Sequence, residues 1–134
     1  MIKLSSITAI LGGAKVSDKI KLIDRLIEFV NHIIIGGGMS FTFIKAKGGQ
    51  IGDSLVEDDY LELARELLEK AEENNVDIYL PEDSVIADSF SNEAEKKECP
   101  SDQIPNGWMG LDIGEKAIAS YQQVIKQSKT VLWN

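Results

Sequence analysis

The chain has 134 residues, 43% of them apolar and 27% charged, with a net charge of −8. These are the proportions of one globular domain with its own core, and they exclude a disordered or low-complexity chain. The acidic balance argues against general nucleic-acid or anionic-membrane binding. No uncharged apolar run approaches the ~18 residues of a bilayer span, and the single cysteine, Cys99, excludes an internal disulfide and fits a reducing compartment.

The opening stretch, MIKLSSITAILGG, reads as holding a buried strand rather than a leader peptide. Ile7 to Leu11 is a short apolar run rich in strand formers and ended by Gly12-Gly13, as in a buried parallel strand. Val16, Ile20, Ile23, Ile27 and Val30 then recur at steps of four and three, with charged residues between them, and predict an amphipathic helix. Ile33 to Ile35 is a second strand, ended by Gly36-Gly37-Gly38. Met39 to Ala46 is a brief helix closed by Gly48-Gly49. Ser54 and Glu57 have the spacing of a capping box ahead of a long helix whose apolar stripe is Tyr60, Leu63, Ala64, Leu67, Leu68 and Ala71. Asn74-Asn75 stops that helix. Asp77 to Leu80 is a third strand ended by Pro81, and Ser84 to Ala87 a smaller one.

Ser89 to Ser101 is polar and reads as a solvated surface loop, and Gly107 to Gly114 as a glycine-punctuated turn. Ala117, Ile118, Tyr121, Val124 and Ile125 mark a last helix, and Thr130 to Trp133 a last, buried-looking strand before Asn134. The order strand–helix–strand–helix–helix–strand–helix–strand predicts an α/β, Rossmann-like three-layer αβα fold on a mainly parallel sheet. Because the sequence stops at the end of a strand with no helix after it, the domain is expected to be incomplete, part of something longer with one sheet edge exposed.

In such sheets ligands bind beyond the carboxyl ends of the strands. Two glycine clusters, Gly12-Gly13 and Gly36-Gly37-Gly38, and Asn134 would share that rim. Glycines let backbone N–H groups approach an anion, and a helix start adds its positive end. Lys15 and Lys19, four residues apart, would project on one face beside those amides and make a phosphate site. Neither the Walker A spacing nor G-x-G-x-x-G is present, and the residue types equally suit a tight strand-to-helix turn with two surface lysines. Gly36-Gly37-Gly38 suits a flat or bulky group close to backbone, or simply a crowded turn. His32, at a strand start away from the rim, reads as structural. Cys99 lacks a neighbouring histidine and reads as non-catalytic. Asp83, Asp88 and Asp112 show no metal-ligand spacing, and Trp108 and Met109 read as packing.

Taken together, six ordered segments resemble the phosphoglycerate kinase family. Ala9-Ile10-Leu11-Gly12-Gly13-Ala14-Lys15-Val16-Ser17-Asp18-Lys19 is similar to the family's first nucleotide motif, and Ile35-Gly36-Gly37-Gly38-Met39-Ser40-Phe41-Thr42-Phe43 to its second. Gly52 with Ser54-Leu55, then Leu80-Pro81-Glu82-Asp83, Gly107-Trp108-Met109-Gly110-Leu111-Asp112 and Val131-Leu132-Trp133-Asn134 follow in the family's order. The likeness runs from Ala9 to Asn134 and implies that residues 1–134 are part of the C-terminal, nucleotide-binding domain.

What the resemblance implies is a cytoplasmic glycolytic enzyme, a phosphotransferase with a carboxyl group as acceptor. It would pass a phosphoryl group between 1,3-bisphosphoglycerate and ADP, giving 3-phosphoglycerate and ATP, with Mg2+. By position, Lys15 is similar to the catalytic lysine that neutralises the phosphoryl group in transit, and Lys19 to one that binds nucleotide phosphates. Gly13 and Ala14 would line the nucleotide, Gly37 and Gly38 would lie against adenine, and Leu55, Gly110, Leu111 and Asn134 would complete the base and ribose pocket. Asp18 would help the metal. The family's phosphoglycerate-binding N-terminal domain is not in these residues, nor is the Pro-Met-Gly-Val-Phe-Glu-like stretch, nor the later glycine-rich turn with the principal magnesium aspartate. The 134 residues alone are therefore expected to bind nucleotide weakly, to meet 3-phosphoglycerate only through the other domain, and to turn nothing over. The parent is expected to be a monomer. The alternative is a non-catalytic folding or assembly unit that self-associates through its exposed sheet edge. A nicotinamide-dependent dehydrogenase is disfavoured, since its fingerprint and the acidic residue closing the second strand are both missing.

Overall fold

The computed structural model describes residues 6–89 and 91–134. Residues 1–5, the beginning of the opening stretch, and Phe90 in the polar stretch lie outside the described residues. In chain order the main elements are β1 (Ile7–Leu11), α1 (Ile20–Leu26), β2 (His32–Ile35), α2 (Met39–Ala46), β3 (Gln50–Ile51), α3 (Leu61–Glu73), β4 (Asp77–Tyr79) and β5 (Asp83–Ala87). They continue with β6 (Lys96–Pro100), β7 (Gln103–Ile104), β8 (Met109–Ile113), α4 (Glu115–Gln127) and β9 (Thr130–Trp133).

The central sheet has the order β4-β2-β1-β9 and is parallel throughout, with Ala9 beside both Ile33 and Leu132. Side chains alternate across it. Ala9, Leu11, Ile33 and Ile35 face one core shared with Ile23 of α1 and Ile27 just after it, Met39 and Phe43 of α2, and Ala64, Leu67 and Ala71 of α3. Ile10 and Ile34 face the other, shared with Tyr121 and Val124 of α4. Helices thus cover both faces, the expected αβα layering. The chain steps outward from β1 through β2 to β4 and then returns to place β9 on the other side of β1. The reversal lies between β1 and β9, where a doubly wound sheet opens a crevice at its carboxyl ends.

Four local readings differ from the sequence expectation. The first amphipathic stretch is split: Val16–Asp18 is a 3-10 turn, and α1 starts only at Ile20. Its stripe is still buried, with Val16, Ile23, Ile27 and Val30 all fully covered. Ser54 and Glu57 do not cap α3, which follows a 3-10 turn (Asp58–Tyr60) and has no side-chain cap. The polar loop and the glycine-rich turn both contain strands: β6 and β8 flank β5 in an antiparallel sheet. This sheet covers a small core of Phe41, Ile44, Ile51, Ile86 and Ile104. Finally, β9 is exposed along its whole length, because among the described residues no strand pairs beyond it.

Candidate functional site

The three carboxyl ends at the reversal meet. Gly12 N–H donates to the Asn134 carbonyl at 3.1 Å, and Gly36 N–H to the Leu11 carbonyl at 2.8 Å. Met39 N–H donates to the Gly13 carbonyl at 3.0 Å, locking the start of α2 onto the loop after β1. Among the described residues, the N–H groups of Gly13, Ala14, Lys15, Gly37 and Gly38 donate to no protein acceptor. Bare amides of this kind, at the ends of parallel strands, form a concavity that suits an anion.

Lys19 belongs to this rim. Its Nζ donates to Asn134 Oδ1, and its side chain passes the Cα of Gly13. Lys15 is exposed and sits in extended backbone (φ −123°) just before the 3-10 turn. The two lysines therefore flank a tight turn rather than stacking along one α-helical face. The turn is held from outside: Ser17 donates its N–H to Glu57 Oε1 at 3.0 Å and its hydroxyl to Oε2 at 2.6 Å. Burial alone would raise the Glu57 carboxyl, but the bonds from Ser17 and Val16 and the charge of Lys15 outweigh it and hold it below its ordinary value.

A second part of the site is a cleft of about 140 Å³ lined by Gly37, Gly38, Phe41, Leu55, Gly110 and Leu111, among others. It is small beside ordinary ligand pockets of ~300–1,000 Å³, and suits one flat ring. Leu55 is 55% exposed and Leu111 38%, so two apolar side chains stand open at its mouth. Its walls are set by Ser54, whose Oγ accepts the Gly110 N–H at 2.8 Å, and by Gly110 packed onto the Phe41 ring. From above, Tyr121 donates its phenol to the Ile35 carbonyl at 3.0 Å and so fixes the strand end that feeds the three glycines.

The structure thus gathers the expected residues into two groups. Gly13, Lys19 and Asn134 meet at the β1–β9 crevice, with Ala14 and Lys15 on the same loop. Gly37, Gly38, Leu55, Gly110 and Leu111 line the cleft beside it. Asp18 lies exposed in the turn between the lysines. Most of the weaker candidates stay outside, but Asp112 also lines the cleft. His32 is at the opposite strand ends, 3.2 Å from Asp77 and tilted against Tyr79. Burial pushes the Cys99 thiol up, the wrong direction for a nucleophile. Asp83 accepts the Lys116 and Ala117 N–H groups and caps α4. Trp108 packs against the small core beneath Lys97. A larger cavity of about 920 Å³, between α2 and the antiparallel sheet, contains none of the site residues. Sequence reasoning missed Ser17 and Glu57, which are 40 residues apart and share no local pattern.

The phosphoglycerate kinase family model matches residues 3–134. The chain is 57% identical over 125 residues to a phosphoglycerate kinase of Deinococcus radiodurans, an alignment that covers 93% of this chain and 30% of that protein. It is 56% identical over 126 residues to one of Latilactobacillus sakei, covering 94% and 30%. Among solved structures, phosphoglycerate kinase from Coxiella burnetii superposes with a TM-score of 0.94 at 37% identity, over 98% of this chain and 34% of that one. The enzyme from Pyrococcus horikoshii OT3, at 21% identity, shares the fold with a TM-score of 0.76 over 97% and 33%. The chain spans about 30% of the length of the curated relatives it matches.

Proposed function

The chain belongs to the phosphoglycerate kinase family, and from that premise we propose that it supplies the nucleotide side of a phosphoryl transfer between 1,3-bisphosphoglycerate and ADP, giving 3-phosphoglycerate and ATP. The observation that carries this reading is the meeting of Lys19, Gly13 and Asn134 at the sheet reversal, next to an open apolar cleft floored by glycine backbone. The nucleotide base lies in the cleft between Leu55 and Leu111 and against Gly37, Gly38 and Gly110. Its phosphates run over the free amides of Gly13 and Ala14 to Lys19, with Asn134 at the join. Lys15, exposed at the rim, neutralises the phosphoryl group as it passes. Transfer of this kind asks little covalent chemistry of the protein. Positioning and fixed positive charge lower the barrier, and they act more strongly once water is excluded.

Magnesium fits this chain only as a shared ligand. Among the described residues no three His, Cys, Asp or Glu side chains converge, and Asp18 offers one exposed carboxylate. Such a set suits an ion carried mainly by phosphates and water, and bound there the ion would neutralise phosphate charge. The acyl-phosphate partner, 3-phosphoglycerate and turnover belong to the longer relatives' architecture. The 134 residues alone bind nucleotide weakly and turn nothing over. No helix among the described residues is long and apolar enough to cross a membrane, and a cytoplasmic setting belongs to the same proposal.

A second reading has one observation in its favour. Val131, Leu132 and Trp133 of β9 are 39%, 45% and 83% exposed on an edge strand without a proline or bulge. A folding or assembly unit would pair through this edge. ADP affinity and solution mass together separate the two readings: the nucleotide reading expects ADP binding whatever the mass, whereas the assembly reading expects a dimer that binds no ADP. For the first reading, titration of ADP into the chain should perturb Gly13, Lys19, Leu55 and Gly110 together. Shifts confined to other regions would refute it.

A further inference from the structure

The segment Gly52–Glu57 ties the two halves of the site together. Asp53 N–H donates to the Trp108 carbonyl at 2.8 Å, Ser54 accepts from Gly110, Leu55 lines the cleft, and Glu57 grips Ser17 in the lysine turn. Glu57 itself is anchored, its N–H donating at 3.1 Å to Oγ1 of Thr42, a fully buried residue of α2. Both carboxylate oxygens thus accept from Ser17, which stands midway in the chain between Lys15 and Lys19.

The charge at this place is the wrong sign for an anion site. A carboxylate beside Lys15 offsets some of the positive potential that phosphates need. Electrostatics alone would favour an uncharged residue there. The geometry gives the carboxylate another task. With the Glu57 clamp removed, the Ser17 N–H and hydroxyl lose their fixed acceptor, and the turn is free to relax into the α-helix that the apolar stripe itself favours. Lys15 and Lys19 would then move apart from the loop amides.

We infer that Glu57 is a positioning residue. By clamping Ser17 it holds the turn between Lys15 and Lys19 in the shape that presents both ammonium groups to a nucleotide's phosphates, and it couples that turn to the base cleft through Leu55. The inference rests on the phosphate-binding reading above.

The test turns on sign. ADP is titrated into the purified chain and into Glu57→Ala, Glu57→Gln, Ser17→Ala and Lys19→Ala. Glu57→Ala removes a negative charge, yet is expected to weaken ADP binding roughly fivefold to tenfold, because correct geometry is lost. Glu57→Gln keeps the reach and one acceptor oxygen without the charge, and is expected to bind within about twofold of the parent chain. Should Glu57→Ala fail to fold, Ser17→Ala removes only the hydroxyl half of the clamp and is expected to cost roughly threefold. Glu57→Ala, or Ser17→Ala in its place, binding ADP as tightly as the parent while Lys19→Ala binds less would overturn the inference and leave the phosphate site standing. An unchanged Lys19→Ala would overturn the phosphate reading itself, and the inference with it.

Discussion

Gly37 rests on the backbone of Gly13: a Cβ built on Gly37 would lie 2.6 Å from the Gly13 carbonyl oxygen and 2.9 Å from its nitrogen. Gly37 also holds φ at +73°, which side-chain-bearing residues rarely adopt. The contact joins the loop after β1 to the loop after β2. Gly37→Ala is therefore expected to cost about 1–3 kcal/mol in urea unfolding and to weaken ADP binding by pushing the two loops apart. Unchanged stability and affinity would show that the two loops are not in contact in solution.

Gly110 makes a comparable approach inside the cleft wall, where a Cβ would collide with the Phe41 ring. Gly110→Ala should destabilise the chain by roughly 1–3 kcal/mol through overpacking. Phe41→Leu introduced together with it should recover part of the loss, because residues in contact are not additive. A strictly additive double variant would contradict the contact.

Asp83 is 8% exposed and accepts the Lys116 and Ala117 N–H groups at 3.1 and 2.8 Å, while its own carbonyl takes the Gly114 N–H at 2.9 Å. It caps α4 from a distance in sequence. Asp83→Ala is expected to lower unfolding free energy by about 2 kcal/mol. An unshifted denaturation midpoint would contradict that role.

Acid should loosen the lysine turn. Burial tends to raise the Glu57 carboxyl, but its hydrogen bonds from Ser17 and Val16 and the charge of Lys15 hold it below its ordinary 4.5. A carboxyl depressed in the folded state contributes stability that is full above its unfolded pKa and fades as pH falls through the folded value. Unfolding free energy should thus decline below about pH 4.5, and Glu57→Gln should flatten that part of the curve. Parallel curves for the two proteins in this window would remove the charge from the account.

The sheet was the legible part of the sequence. ITAIL and HIII are apolar at nearly every position because parallel strands under helices are covered on both faces, and the glycines after them mark where backbone must come close. The antiparallel sheet was illegible for the opposite reason. Four of the five residues of β6 are exposed, so Lys96-Lys97-Glu98 carries no apolar alternation, and its charges suit an edge strand as well as a loop. Gly110 suggested a turn, yet its lack of a side chain answers to Phe41, which lies 69 positions earlier (110 minus 41). Of the site, the glycine loops, Lys15, Lys19 and Asn134 were visible as residue types beyond strand ends. Their sharing one rim followed from the strand order, but the bond of Lys19 to Asn134 did not, since it depends on β9 returning beside β1. Ser54 and Glu57 fit the capping spacing, but each bonds a residue far along the chain, Gly110 and Ser17. Local spacing has no way to register such partners.

The most direct test is a crystal of the chain soaked with a non-hydrolysable ATP analogue and magnesium. The account predicts the base between Leu55 and Leu111, and the phosphates on the Gly13–Ala14 amides within reach of the Lys15 and Lys19 ammonium groups. Phosphates bound elsewhere, with both lysines left to solvent, would contradict it.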